Sequence, residues 1–280
     1  MDVAELIRAN RDVLSPAERR VADVVLGDPH AVAFGTVASV AKAARTSGGS
    51  VVRLAARLGL DGFAALQERV RADLTPERRR AAERIREPLD NDLLARALEV
   101  AAESVLSTLD RVDRADFDAA VGLLAARSRT VYVLAADASQ GIGAQFATEL
   151  AMLRRGVVEV HGTEVAVSRA MALLAPGDVV VTLDLPRHDR WLLAALHQAK
   201  AGEARIVALT ASPLSPLAAH AELAFTIASE NAGPFDSHLA ALALLEALVA
   251  GVAERLRSSA TDRLERIEAA WRESGALADE

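Results

Sequence analysis

The chain has 280 residues, 51% of them hydrophobic, no cysteine and a net charge of −7. That length holds two domains or one large one, with ample apolar material for a core. The missing cysteine excludes disulfides and thiolate metal sites, and the acidic total, taken alone, argues against a nucleic-acid partner.

In chain order, Ser15-Pro16-Ala17-Glu18 is a complete helix start, with Ser at the N-cap, Pro at N1 and Glu at N3. Val21, Val24 and Val25 give that helix a core face, and Gly27-Asp28-Pro29 ends it. Thr36 to Leu60 then reads as two short helices around a tight turn. Val37, Val40, Ala41 and Ala44 recur at i, i+3, i+4, i+7; Val51, Leu54, Ala55 and Leu58 repeat the spacing. Arg45-Thr46-Ser47 forms the turn, Ser47 suits an N-cap, and Gly59 stands where a C′ glycine belongs. Opposite the apolar stripe of the second helix come Ser50, Arg53 and Arg57, and with Lys42 and Arg45 the stretch is basic and free of acids. A pair of this kind places its second helix in the DNA major groove, so Lys42, Arg45, Thr46, Ser47, Ser50, Arg53 and Arg57 are candidate contacts to a double-stranded operator. The bland alternative is a helical hairpin with a solvated face. Gly48-Gly49, in the first turn of the second helix, means either a later helix start or a close approach of backbone to DNA.

A helix at about Gly62 to Leu74, with Phe63, Leu66 and Val70 on one side, completes an all-helical domain over 1–75. Thr75-Pro76 caps a charged helix, ERRRAAERIRE, that ends at Pro88. It reads as a linker, and its Arg78-Arg79-Arg80 as a solvated face more than a phosphate contact. Two helices follow between Asn91 and Ala126, separated near Asp110 to Asp116, so 76–127 is a linker plus leading helices.

The texture then changes. Buried-strand runs occur at Thr130–Ala136, Val157–His161, Asp178–Leu183, Ala204–Thr210 and Glu222–Ile227, mostly separated by helical patterns. This predicts an α/β domain over 128–258, a parallel five-stranded sheet with helices on both faces. A long helix from Ser237 to Arg257 closes it, and a charged amphipathic helix, Thr261 to Trp271, lies within a C-terminal piece, 259–280. In such folds ligands sit beyond the carboxyl ends of the strands. The segments there offer Ser139 and Gln140; Asp184, Arg187 and His188; Thr210, Ser212 and Ser215; and Asp236, Ser237 and His238. Each is individually a plain helix cap, but together at one sheet edge they suit a small anion.

The charge distribution agrees with this division. Residues 1–80 hold 13 Lys+Arg and 10 Asp+Glu, and the remainder 19 and 29. A mildly basic head on an acidic body fits a DNA reader joined to something else. Lys42 and Lys200 are the only lysines among 32 basic residues, which reads as codon bias. The start is charged from Asp2 onward, and Leu239–Ala253 is too short and too interrupted to span a bilayer, so a cytoplasmic protein without membrane contact is expected.

The ordering resembles the RpiR family of bacterial transcriptional regulators, in which a helix-turn-helix domain precedes a sugar isomerase (SIS) domain. LSPAERRVADVVL (Leu14–Leu26) looks like the family's first helix, and SVVRLAARLGLDGFAALQ (Ser50–Gln67) like its recognition helix and following turn. APGDVVVTLD (Ala175–Asp184) and IVALTASPLSPLA (Ile206–Ala218) look like SIS strand endings. The resemblance implies recognition by Ser47, Ser50, Arg53 and Arg57, sensing of a phosphorylated sugar or related metabolite, and a homodimer or homotetramer. Two motifs depart from it. The usual Gly-x-Gly-x-Ser reads Ala135, Asp137 and Ser139, and the usual Ser-x-Ser-Gly-x-Thr reads Asp184, Pro186, Arg187 and Asp189. Serines that would hold a phosphate are gone and carboxylates have arrived, which turns attention to Arg187 and His188 and to a sugar acid, a carboxylate or a differently posed phosphate.

No cofactor or metal is expected, since the six histidines show no metal-like spacing beside a carboxylate. Two other readings stand beside the regulator. In a sugar-phosphate isomerase with an accessory domain, Glu149, His188 or His238 would be the base. Alternatively the SIS domain serves only as a dimerisation scaffold.

Overall fold

The computed structural model describes residues 3–27, 29–74, 81–86, 92–185, 188–213 and 215–277. The chain divides into two compact units, residues 1–78 and 79–280.

The first unit is all helix: α1 (Val3–Asn10), α2 (Pro16–Gly27), α3 (Pro29–Phe34), α4 (Val37–Ala43), α5 (Gly48–Arg57) and α6 (Gly62–Leu74). The α2 start is the expected capping box: Ser15 Oγ accepts from the Glu18 amide, and Glu18 accepts from the Ser15 amide at 2.8 Å. Val21, Val25, Val40, Ala41, Val51, Leu54, Ala55, Leu66 and Val70 meet in one buried cluster, so the 3.6-residue spacing marked the inward faces of α2, α4, α5 and α6. Two short helices, α1 and α3, carried no signal that had been read. Gln67 and Arg71 of α6 donate to carbonyls of Val32, Ala33 and Gly35, which closes the end of α3.

The second unit begins with α7 (Ala81–Arg84). The charged linker helix is described only there; its start at Thr75-Pro76, the run Arg78-Arg79-Arg80 and its end at Pro88 lie outside the described residues. Then come α8 (Leu93–Asp110), α9 (Arg114–Ala125), β1 (Val131–Ala135), α10 (Gln140–Leu153), β2 (Val157–Glu159), α11 (Glu164–Ala172), β3 (Val179–Asp184), α12 (Arg190–Ala201), β4 (Arg205–Thr210), α13 (Pro216–His220), β5 (Leu223–Thr226), α14 (Leu239–Arg255) and α15 (Arg257–Ser274). The five strands form one parallel sheet in the order β2-β1-β3-β4-β5. The long helix starts at Leu239, two residues later than expected, and leaves Ser237 and His238 in the preceding segment.

Alternation along each strand sorts the side chains between two layers. Val131, Val133, Val179, Val181, Val207 and Leu209 pack toward α9, α10, α14 and α15. Leu134, Val180, Ile206 and Ala208 pack toward α11, α12 and α13. Thr182, Asp184 and Thr210 share the parity of this second layer. Helix α10 comes very close to β1, because Gly143 has no Cβ; one built there would meet the Ala135 methyl at 2.6 Å. After β1 the chain turns back to β2, and after β3 it runs the other way to β4, so the connections part between β1 and β3. That is the topological switch point where a crevice opens.

Candidate functional site

In the first unit, Thr36 caps α4 and reciprocates with Ser39, which fixes where the helix pair begins. Arg45 turns the chain with a left-handed φ of 49°. Thr46 N donates to Ala41 O at 2.9 Å, and the Arg20 Nε of α2 donates to Ala44 O, so the turn's polar groups are held from two sides. The second helix begins at Gly48 itself, which settles its start. Ser47 occupies the N-cap position without a side-chain cap bond. A Cβ on Gly48 would press Val37 of α4 at 3.0 Å, so this glycine serves the close packing of the pair.

Ser50 corrects the expected exposed face. It is 2% exposed and turned inward, where its Oγ accepts from Thr46 Oγ1 at 3.1 Å and from Arg53 Nη2 at 2.9 Å. Spacing explains this: Ser50 lies i−4 from Leu54, on the edge of the apolar stripe. The surface of α5 is instead made by Gly49, Val52, Arg53, Ala56 and Arg57, continued by the exposed Ser47, Arg45 and Lys42, with Thr46 half-buried. Arg53, with 62% of its side chain exposed, is tethered at its base: Nη2 reaches Ser50, and Nε lies 3.9 Å from the buried Glu18 of α2. Backbone and hydroxyl bonds from Ser15, then the charges of Arg57 and Arg53, outweigh burial and hold the Glu18 carboxyl below its ordinary range. A Cβ on Gly49 would lie 3.2 Å from Arg53 Nη1, so that glycine leaves room for the folded-back guanidinium. Glu18 was read from the sequence only as a cap; its second contact is the unforeseen one.

In the second unit, the segments at the switch point are joined by polar contacts. Asp184 Oδ2 accepts from the Asp189 amide and lies 3.1 Å from His188 Nδ1. The Asp137 amide donates to Asp189 at 3.3 Å, which links the segments after β1 and β3. Ser139, 1% exposed, sits 3.0 Å through Oγ from His238 Nε2. Burial lowers the His238 pKa, against an opposing pull from Asp236, which disfavours the charged imidazole. Thus Ser139 and His238 come together, as do Asp184 and His188. Gln140 is exposed at the start of α10. Ser215 caps α13 by accepting from Ala218 N, and Ser237 Oγ accepts from Leu239 N, so those hydroxyls do capping work. Ser212 lies half-buried in the segment after β4. Thr210 Oγ1, paired in register with Asp184, and Thr182 Oγ1 are buried and make no hydrogen bond within the chain. Arg187 lies outside the described residues.

Two residues at this edge take roles the sequence did not indicate, Asp189 having been noted only as a carboxylate in the altered motif. Asp189 bridges two segments, and Arg84 of α7 donates through Nη1 to Asp236 Oδ1 at 3.1 Å. Separated by 152 positions, that pair gives no signal in local sequence. Among the described residues no cluster of three or more His, Cys, Asp or Glu side chains is arranged to hold a metal ion, and no helix is long and apolar enough to cross a membrane.

Comparison with known proteins adds two family matches. Residues 1–77 match the helix-turn-helix domain of the rpiR family, and residues 124–251 match the SIS domain. The HTH-type transcriptional regulator HexR of Escherichia coli is 26% identical over 290 residues, covering 98% of this chain and 96% of its own. The bifunctional protein glk of Paraburkholderia xenovorans is 28% identical over 272 residues; the match takes in 95% of this chain but only 42% of that longer protein. Among solved structures, the Vibrio vulnificus NanR protein complexed with ManNAc-6P superposes with a TM-score of 0.60 at 20% identity, covering 99% of this chain and 100% of that one.

Proposed function

The chain belongs to the RpiR family, with an rpiR-type helix-turn-helix domain followed by a SIS domain, and from that premise we propose a DNA-binding transcription regulator governed by a small anionic metabolite. In this reading residues 1–75 bind the operator, 76–127 lead into the second domain, 128–258 sense, and 259–280 complete the body. The observation that carries it is the surface of α5. A short helix follows a capped partner through a four-residue turn and presents Arg53 and Arg57 outward, with Arg53 braced by Ser50 and Glu18. Such a helix enters the major groove by its N-terminal residues, while Lys42 and Arg45 meet phosphates.

The effector is read as a phosphosugar, sugar acid or carboxylate, bound at the edge formed by Ser139, Asp184, His188, Thr210 and His238. The phosphosugar named with NanR makes that class the first to test. Ligand acts by binding one arrangement of paired DNA heads more tightly than another. The protein works in the cytoplasm as a homodimer or homotetramer. It is read as a sensor and not a catalyst: of the candidate bases, Glu149 accepts from Gln145 along α10, His188 is turned to Asp184, and the His238 ring is turned to Ser139. Ketose–aldose interconversion of glucose 6-phosphate by the purified chain would overturn that reading.

The direct test uses a DNA fragment selected by the full chain from a random pool. R53A/R57A is expected to weaken binding tenfold or more and to relax base preference, with the folded signal intact, while K42A/R45A is expected to reduce the slope of log K against log salt by about 2. Unchanged affinity would sink the assignment of α5.

A further inference from the structure

Among the described residues, the segments at the carboxyl edge of the sheet hold no lysine or arginine, although the site is to hold an anion. Asp137, Asp184, Asp189 and Asp236 all lie in them, and burial disfavours the charged form of His238. An anion among carboxylates needs a fixed cation. Arg84 supplies one. It stands on α7, a few residues past Arg78, where the first unit ends, and reaches Asp236 two positions before His238.

Its bonding is half used. A guanidinium offers a planar fork that takes a carboxylate or phosphate through two parallel bonds. Arg84 instead meets Asp236 through Nη1 alone, while its Nε is buried without an acceptor. Both side chains are partly covered, with 23% and 22% exposed, so the pair is desolvated enough to matter but open enough to exchange.

We propose that Arg84 is a binding residue for the effector, with Asp236 as its resident stand-in. This rests on the sensor reading given above. The anionic group of a small metabolite takes the guanidinium fork and satisfies Nε, and Asp236 gives up its bond to Arg84. Because Arg84 belongs to the segment leading out of the DNA-reading unit, the exchange also changes how that segment is anchored. Binding and signal then share one side chain.

The test is calorimetric titration of the full-length wild type, R84Q, D236N and R84Q/D236N with glucose 6-phosphate, gluconate and inorganic phosphate. For the probe that binds, R84Q is expected to weaken affinity tenfold or more. D236N is expected to tighten it several-fold by freeing the fork, and the double variant to be as weak as R84Q. A merely structural ion pair predicts loss in both single variants. Equal affinity of R84Q and wild type, or a double variant as tight as D236N, overturns the role of Arg84 and leaves the sensor reading standing. Failure of wild type to bind any of the three probes overturns that reading and this inference with it. Phosphate-only or gluconate-only binding separates the two anion chemistries.

Discussion

Arg45 holds a left-handed φ of 49° in the turn that aims α5. For a residue with a Cβ that conformation costs roughly 1–2 kcal/mol, and glycine adopts it freely. R45G is therefore expected to stabilise the chain by about 0.5–1 kcal/mol in denaturant unfolding, the gain being reduced by glycine's greater freedom when unfolded. The same variant should bind DNA less well, since it removes an exposed cation. A variant that is both less stable and equally tight would contradict both roles of Arg45. Ser50 teaches the complementary lesson. Its spacing from Arg53 and Arg57 suggested one polar face, but its spacing from Leu54 placed it under Arg53. A hydroxyl on the border of an apolar stripe is decided by what lies above it, here an arginine in need of an acceptor.

At the scale of elements, α2 and α5 are linked by more than apolar packing. Glu18 closes the N-terminus of α2 and also faces Arg53 and Arg57. Its pKa is lower folded than unfolded, so the stability it contributes is complete above its ordinary range and is lost as pH falls through the folded value. Acid unfolding of wild type should therefore show a fall below about pH 4.3 that E18Q lacks. Identical acid limbs would deny the carboxylate its second role. The helices legible in the sequence were those with a full apolar stripe or a capping box; α1 and α3, of 8 and 6 residues, are too short for such a pattern to stand out. The strands were legible because both faces of the sheet are covered, leaving near-continuous apolar runs. The exception is β2, an edge strand with exposed residues, which proved shorter than its apolar run. The sensing edge was only half legible. Each Asp, Ser and His could be placed after its strand, but the bonds from Ser139 to His238 and from Arg84 to Asp236 join residues far apart in the chain.

At the scale of the whole molecule, α8 carries an exposed apolar row. Helix α8 turns Val100, Ser104 and Thr108 inward, while Leu94, Leu98 and Leu106 remain 85%, 72% and 62% exposed. An apolar row of that kind marks an interaction site. If the proposed homo-oligomer forms through α8, two antiparallel copies centred near residue 100 set Leu94 opposite Leu106, as a twofold interface requires. L98E/L106E is expected to lower the assembly mass by half or more in light scattering and to weaken binding to a two-half-site operator. An unchanged mass would move the interface elsewhere, with α15 the next helix to alter.

The residues of the helical head close into a cluster of their own, and those of the sheet into others. Among the described residues each of these clusters draws on one unit alone, so a junction near residue 78 cuts through none of them. Heads and bodies of this construction are therefore expected to behave as exchangeable parts, each keeping its own unfolding transition in a chimera joined near residue 78.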